Sequence, residues 1–341
     1  MLKGAVVGCG FFADNHLNAW GAIDGAEIVA VCDRDPARLK RAVETFGIVR
    51  TYTDIDEMLA TETLDFVDVA TGPGTHEALV AKVAAAGKAV ICQKPIAQTI
   101  EGAKDMVAAC EKAGVTFMIH ENFRWQKPLM AVKAAIDAGR IGTPYFGRIS
   151  FRTDHDIYAG QPYLATEERF IVADLGIHVL DMARYYFGEV ESLAASTTRV
   201  NPKIRGEDVA TMMLKHDSGV TSVVDCTYAS PRPEDVFPET LVEIDGSEGS
   251  IKLDGHYRLT VFTRGGAAEV TNVDAALLPW AEKPWHVVQD SVLAIQQDFV
   301  RCLEEGREPA TSGRDNLKTY SLVDAVYRSA EGPLTRVEPE R

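Results

Sequence analysis

The sequence predicts an α/β protein in which an N-terminal doubly wound parallel sheet is followed by an α+β part with a large, mostly antiparallel sheet. Three observations predict it. Short apolar runs alternate with helical patterns from residue 1 to about 122. The first run leads directly into a glycine-rich turn. After Asn122 that alternation gives way to successive strand-like runs separated by turn signals.

In the first part the apolar runs are Gly4–Gly8, Glu27–Asp33, Phe66–Ala70, Lys88–Cys92 and Val115–His120. They are rich in Val and Ile and lack polar alternation, as strands covered on both faces should. Helical patterns lie between and after them, at Ala13–Ile23, Pro36–Phe46, Asp54–Ala60, His76–Ala86 and Ile100–Ala113. Gly47, Gly87 and Gly114 each stand where a helix should stop. The second part, 123–341, opens with helices at Leu129–Ala138 and Leu175–Phe187. Strand-like runs follow at Glu191–Arg199, Asp208–Lys215, Val220–Thr227, Thr240–Asp245, Ser250–Leu253 and Arg258–Thr263. Two helices, His286–Glu305 and Arg314–Ser329, close the pattern, and the last is expected to return to the first domain.

Composition supports a large core. Of 341 residues, 46% are hydrophobic and 25% charged, enough apolar mass for two cores. Net charge is −15, from 35 basic and 50 acidic residues. Such a surface repels phosphate backbones and anionic lipid, so no nucleic-acid or membrane partner is expected. Six cysteines without CxxC spacing read as reduced, buried thiols rather than a disulfide framework or zinc site. The opening MLKGAVVGCGFF lacks signal-peptide architecture, and no apolar run approaches the ~18 residues of a membrane span. A cytoplasmic protein is expected.

Gly8-Cys9-Gly10-Phe11-Phe12-Ala13 fits G-x-G-x-x-G/A between the first strand and the first helix. Small residues let the backbone turn sharply and bring its N–H groups to a pyrophosphate at the helix N-terminus. Asp33 ends the second strand, where a carboxylate accepts hydrogen bonds from both adenosine ribose hydroxyls and repels a 2′-phosphate. NAD is therefore the expected cofactor, and the first part a Rossmann domain. The adjacent Arg34 can stack on adenine or tolerate a phosphate. Thr71-Gly72-Pro73-Gly74-Thr75-His76 leaves room at a strand's carboxyl edge for ribose and nicotinamide. His76 is either a ligand neighbour there or a surface histidine of a helix start.

Gln93-Lys94-Pro95 ends the fifth strand. Asp174-Leu175-Gly176-Ile177-His178 starts a helix with Asp174 and His178 at i and i+4, on one face. An imidazole that takes a hydroxyl proton and a cation that stabilises the developing alkoxide suit a dehydrogenase. Arg124, Arg152, Asp154, His155, Tyr158, Gln161 and Tyr163 are polar groups able to grip a sugar. Asp154-His155-Asp156 lacks a further placed ligand, so no metal is expected. Trp285, His286 and Gln289 begin a late helix, either closing over the cleft or packing.

Together Gly8–Ala13, Asp33-Arg34, Lys94-Pro95, His120-Glu121-Asn122-Phe123-Arg124-Trp125 and Asp174…His178 carry a resemblance to the glucose–fructose oxidoreductase / inositol dehydrogenase / rhizopine-catabolism (Gfo/Idh/MocA) family. It extends over essentially the whole chain. The resemblance implies an NAD-dependent oxidation of a sugar or polyol CH–OH group, with Lys94, Asp174 and His178 as catalytic residues. It implies cofactor contacts from Gly8, Gly10, Phe11, Phe12, Asp33, Arg34, Thr71, His76, Gln93, Lys94 and Asn122, and a homo-oligomer. One departure is visible, because the family usually has Glu before Lys-Pro and this chain has Gln93. A narrower likeness within the family rests on Gly8–His16, Gln93-Lys94-Pro95, His120–Gln126, Phe151-Arg152-Thr153, Gln161-Pro162-Tyr163, Gly176–Asp181, Val224–Tyr228 and Phe237–Val242. It implies a branched pentose, oxidised at its furanose anomeric hydroxyl to a lactone that water opens. An inositol, another aldose or a polyol is the competing substrate. The same motifs would also serve a non-catalytic NAD(H) sensor, or an enzyme that retains its cofactor through a two-substrate cycle. A Ser/His/Asp hydrolase is disfavoured by the lack of a G-x-S-x-G elbow, and a kinase by the lack of a Walker-type loop.

Overall fold

Six parallel strands lie side by side in the order β3-β2-β1-β4-β5-β6 in the computed structural model, which describes residues 1–332. They are β1 (Leu2–Val7), β2 (Ala26–Cys32), β3 (Thr51–Tyr52), β4 (Phe66–Val69), β5 (Ala89–Gln93) and β6 (Phe117–His120). All four residues of β4 and all four of β6 are buried, which explains why these runs lack the polar alternation of a half-exposed strand. The crossovers are α1 (Ala13–Trp20), α2 (Pro36–Phe46), α3 (Ile55–Thr61), α4 (Pro73–Ala85) and α5 (Ile100–Ala113). Capping sets their ends. The Asp35, Asp54 and Thr99 side chains accept backbone N–H groups at the starts of α2, α3 and α5. Gly47 and Gly114 close α2 and α5 in left-handed conformation. The two-residue β3 was too short to register as a periodic run.

Among the described residues, 1–131 and 273–320 form one compact unit, and 132–272 with 321–332 form a second. The first unit thus takes in α9 (His286–Glu305) and the first part of α10 (Gly313–Glu331), which follow α6 (Lys127–Asp137), α7 (Ile157–Gly160) and α8 (Ile177–Phe187) in the chain. Its core shows why. The Trp20 ring lies 4.7 Å from Phe66, and the α9 residue Phe299 lies 5.6 Å from Phe66, with all three side chains buried. Removing such a ring from a core costs about 3–5 kcal/mol, so Phe299 is a strong tie between α9 and this sheet.

The second unit holds eight strands ordered β14-β13-β12-β11-β7-β10-β9-β8. They are β7 (Pro144–Arg152), β8 (Val190–Thr198), β9 (Val209–His216), β10 (Thr221–Thr227), β11 (Leu241–Gly246), β12 (Gly249–Asp254), β13 (Arg258–Thr263) and β14 (Glu269–Asn272). Every pairing is antiparallel except β7 with β10. In β9, Ala210, Met212, Leu214 and His216 point inward and alternate with exposed residues. The central strand β7 escaped the sequence reading. Its inward side is Gly147, Ile149 and Phe151, and a Cβ at Gly147 would lie 2.2 Å from the α8 residue Phe187. Its other side carries Arg148, Ser150 and Arg152, all bonded to Asp225 of β10. Glycine inside and arginine outside hid the alternation. The strand β14, exposed along its length, was also missed. Part of the expected second domain, residues 333–341, lies outside the described residues.

Candidate active site

The Rossmann unit gathers its predicted groups along one edge of the sheet, at the carboxyl ends of the parallel strands. Gly8 follows β1 with φ +97°, and a Cβ there would lie 2.8 Å from the Thr71 methyl and 2.9 Å from the Ala70 backbone. The fold itself requires that glycine. Gly10 differs, since a Cβ there would meet nothing nearer than the Arg38 guanidinium at 3.8 Å. Space kept clear above backbone N–H groups fits a bound pyrophosphate. Phe11 is 65% exposed beside it, and the Phe12 ring meets His16 edge-on at 5.6 Å.

Asp33 stands at the end of β2. Its carboxylate accepts the Cys9 N–H at 2.7 Å and the Asp35 N–H at 2.9 Å. Two hydrogen bonds leave acceptor capacity on a carboxylate for further donors. Arg34 is exposed. Arg38, one helical turn on, approaches Asp33 to 3.8 Å. Arg41 donates to the Cys9 carbonyl at 2.8 Å and to Asp14 at 2.6 Å, fastening the glycine turn from α2. Neither arginine was singled out in the sequence, because nothing local ties α2 to a turn about 30 residues earlier.

His76 is fully buried rather than on the surface. Its Nε2 faces the Thr71 carbonyl at 2.9 Å, and its Nδ1 faces the Pro95 and Ile96 carbonyls at 3.1 and 3.2 Å. The ring therefore ties the loop after β4 to the loop after β5. Burial holds its pKa below the ordinary histidine value, against those carbonyls. Gln93 accepts the Lys94 N–H at 2.7 Å through Oε1, and the Lys94–Pro95 peptide is cis. The Gln93 amide also reaches His16, whose other nitrogen faces Asp68 at 2.7 Å. The Trp20 indole donates to the same Asp68 oxygen at 2.8 Å. The fully buried His120 stacks on His16 with ring centres 4.2 Å apart.

Four further residues of this unit have partners inside it. Asn122 is buried and donates to the Ser291 hydroxyl on α9 at 2.6 Å. Arg124 donates to the Ala310 carbonyl at 2.9 Å and to Asp315 at 2.8 Å, holding the start of α10. His286 is buried against Asp274 at 2.6 Å, while Gln289 donates to Asn15 of α1 at 3.2 Å.

In the second unit Asp174 lies within a π-helical turn, Val172–Gly176, that runs directly into α8. Such wide turns recur at functional sites. His178 is buried in the first turn of α8. Asp174 accepts the Tyr228 hydroxyl at 3.4 Å, and Tyr228 stacks on Phe170 at 5.9 Å. Burial, then the Asp174 charge, pushes the Tyr228 phenol well above its usual value. Tyr158 packs on Phe170 with ring centres 5.8 Å apart, so Asp174, Tyr228, Phe170 and Tyr158 form one cluster. Burial, then the Asp174 charge, raises the Tyr163 phenol to about 12. Tyr228 sits at a strand end 54 residues further on, with no local signal to reveal it.

The predicted residues of this unit also have partners of their own. Arg152 lies on the sheet face opposite α8, its guanidinium held by Asp225 at 3.0 Å. His155 stacks on Phe237 at 3.9 Å, and the Asp154 N–H donates to Asp235 at 2.8 Å. Burial would raise the Asp235 carboxyl, but the Thr153 hydroxyl and the N–H groups of Asp154 and Phe237 hold it below its usual value. Asp156 caps α7, and Tyr163 donates to Gln161 at 2.9 Å. Among the described residues no group of three or more His, Cys, Asp or Glu side chains is placed to hold a metal ion. None of their helices is long and apolar enough to cross a membrane. All six cysteines are free and buried.

Residues 2–121 match the family described as "Oxidoreductase family, NAD-binding Rossmann fold" (Gfo/Idh/MocA), and residues 129–252 match the "GFO/IDH/MocA C-terminal domain". The chain is 57% identical to a D-apiose dehydrogenase of Paraburkholderia graminis, over 96% of this chain and 87% of that protein. It is 53% identical to a D-apiose dehydrogenase of Rhizobium rhizogenes, over 96% and 95% of the two chains. A crystal structure of an oxidoreductase from Agrobacterium radiobacter, in complex with NAD+, L-tartaric acid and magnesium, superposes with a TM-score of 0.95 at 52% identity, covering 96% of each chain. With its glycine turn, its strand-end Asp33 and its antiparallel second sheet, this chain belongs to the Gfo/Idh/MocA family of NAD-dependent oxidoreductases.

Proposed function

We propose that the protein oxidises D-apiose at the furanose anomeric hydroxyl to D-apionolactone, which water opens to D-apionate. The observation that carries this substrate is the 57% identity, over nearly the whole chain, to a relative named for it. The cradle fits NAD, since Gly10 leaves the phosphate approach open and Asp33 retains acceptor capacity. Gly8, Gly10, Phe11, Phe12, Asp33, Arg34 and Thr71 would hold it, with the Gln93-Lys94 turn beside the nicotinamide. His76 and Asn122 support it through the loops they bind. When bound, NAD supplies the hydride acceptor.

This chain's groups do the rest. His178 takes the hydroxyl proton as general base. The Lys94 ammonium stabilises the developing alkoxide as the carbonyl forms. Asp174 orients the sugar, with the Tyr158 and Tyr163 phenols around it, and Asp154 and His155 border the sugar further out. A second copy of the chain covers the sheet face opposite α8, where Met213 is 48% and Phe262 42% exposed, to make a dimer or tetramer. Six reduced, buried thiols agree with a cytoplasmic setting.

The test is a panel of aldoses, apiose among them, and polyols, followed with NAD and NADP at the nicotinamide absorbance band. Apiose with NAD should give the highest kcat/KM. Lys94→Ala should lower kcat about 10²–10⁴-fold with NAD affinity nearly intact. NADH binding without turnover of any sugar or polyol would replace the enzyme by a sensor.

A further inference from the structure

The helical segment that carries Asp174 and His178 starts without a capping side chain of its own. The first four N–H groups of a helix have no acceptor within it. Here the Asp174 N–H is the first to bond back, to the Phe170 carbonyl at 2.8 Å. That leaves the amides of Phe170, Ile171, Val172 and Ala173.

One residue, more than 30 positions away, takes three of them. The Phe170 N–H donates to Glu207 Oε2 at 3.4 Å, the Val172 N–H to Glu207 Oε1 at 3.3 Å, and the Ile171 N–H to the Glu207 carbonyl at 3.2 Å. The fourth, from Ala173, meets the phenol oxygen of Tyr327. The Tyr327 hydroxyl in turn donates to Glu207 Oε1 at 2.7 Å. The Arg169 guanidinium covers the Tyr327 ring at 4.4 Å and pairs with Asp324 at 3.3 Å. A carboxylate at this end also complements the helix dipole. The π turn that follows is less favourable than α-helix, so its first amides gain from acceptors supplied from outside the helix.

We infer that Glu207, anchored by Tyr327, is a positioning residue that fixes the π turn and thereby aims Asp174 and His178 at the sugar. The inference rests on the reading of those two residues as groups that act on substrate. A shift of about 1 Å in a catalytic group costs on the order of 10²-fold in rate. A cap that served stability alone would leave turnover intact.

The experiment compares Glu207→Ala, Glu207→Gln, Tyr327→Phe and His178→Gln by steady-state kinetics and by hydrogen exchange of the peptide spanning 170–178. Glu207→Ala should lower kcat by about 30- to 100-fold, with KM for NAD within about twofold and faster exchange at the freed amides. Glu207→Gln, which keeps an oxygen acceptor, should recover most of that loss, and Tyr327→Phe should fall between. Faster exchange with unchanged kcat overturns the inference. If Glu207→Ala does not fold, an unchanged kcat in Tyr327→Phe overturns it equally. Full activity in His178→Gln instead removes the underlying catalytic reading, whatever the Glu207 variants do.

Discussion

Gln93 presents its side-chain amide nitrogen to Nε2 of His16 at 3.0 Å, while Nδ1 of that ring faces Asp68 at 2.7 Å. Two nitrogens can bond only if one donates and the other carries a lone pair. With Nδ1–H given to Asp68, His16 accepts at Nε2 and Gln93 donates. The other end of the same amide receives the Lys94 N–H, so one side chain links the buried Asp68–His16 pair to the backbone of Lys94.

A carboxylate in place of that amide would break the arrangement. In Gln93→Glu a carboxylate oxygen faces the Nε2 lone pair, so two acceptors meet where a donor met an acceptor. A buried polar contact left unsatisfied costs about 1–3 kcal/mol. The Tm of the variant should therefore fall at neutral pH. An unchanged Tm would show that Gln93 does not serve His16 as a donor.

Asp33 should govern cofactor choice. In Asp33→Ala the ribose loses its carboxylate acceptor and Cys9 loses its 2.7 Å partner. Hydrogen bonds to a charged group contribute about 1.5–3 kcal/mol, so KM for NAD should rise about ten- to a hundredfold. The gap to NADP should narrow, because Arg34 and Arg38 remain beside the site. An unaltered NAD/NADP ratio of kcat/KM ends the argument for Asp33.

Gly147 should tolerate no side chain. Gly147→Ala places a methyl 2.2 Å from the Phe187 ring, an overlap that core overpacking relieves at about 1–3 kcal/mol. The urea midpoint should fall with an unchanged m-value. Adding Phe187→Leu should cost less in the Gly147→Ala background than alone. Simple additivity would mean that the two positions are not coupled.

Two buried histidines set an acid limit. Burial lowers the pKa of His76 and of His216, against the backbone carbonyls they meet. Below about pH 6.5 the unfolded chain takes up protons at these positions that the folded chain refuses. The slope of unfolding free energy with pH is then positive, so stability is lost as pH falls from about 6.5 toward the folded values. Urea unfolding should show lower stability at about pH 5.5 than at about 7.5, and His216→Gln should shrink the difference. An equal difference in that variant would clear His216 of the effect.

The Rossmann sheet was legible because its signals are local: unbroken apolar runs, glycines at helix ends, and a glycine turn between Val7 and Ala13. β7 was not, since the acid that neutralises Arg148 and Arg152 lies 77 and 73 residues away in Asp225. The candidate site divides the same way. Gly8, Asp33, Lys94, Asp174 and His178 announce themselves by their place in a motif. Arg41, Glu207 and Tyr228 act on distant backbone or side chains and carry no local mark. Arg152, singled out for its charge, lies on the sheet face opposite α8 and pairs with Asp225. His76, a ligand neighbour or a surface histidine by sequence, lies fully buried.

The aromatic cluster of Trp20, Phe66 and Phe299 also bears on synthesis. A ribosome has made the first two rings long before the third emerges, with the whole eight-stranded sheet translated in between. Until Phe299 arrives, the nascent Rossmann sheet keeps an uncovered aromatic patch of the kind chaperones bind. A truncated polypeptide that stops at residue 131 would keep that patch permanently.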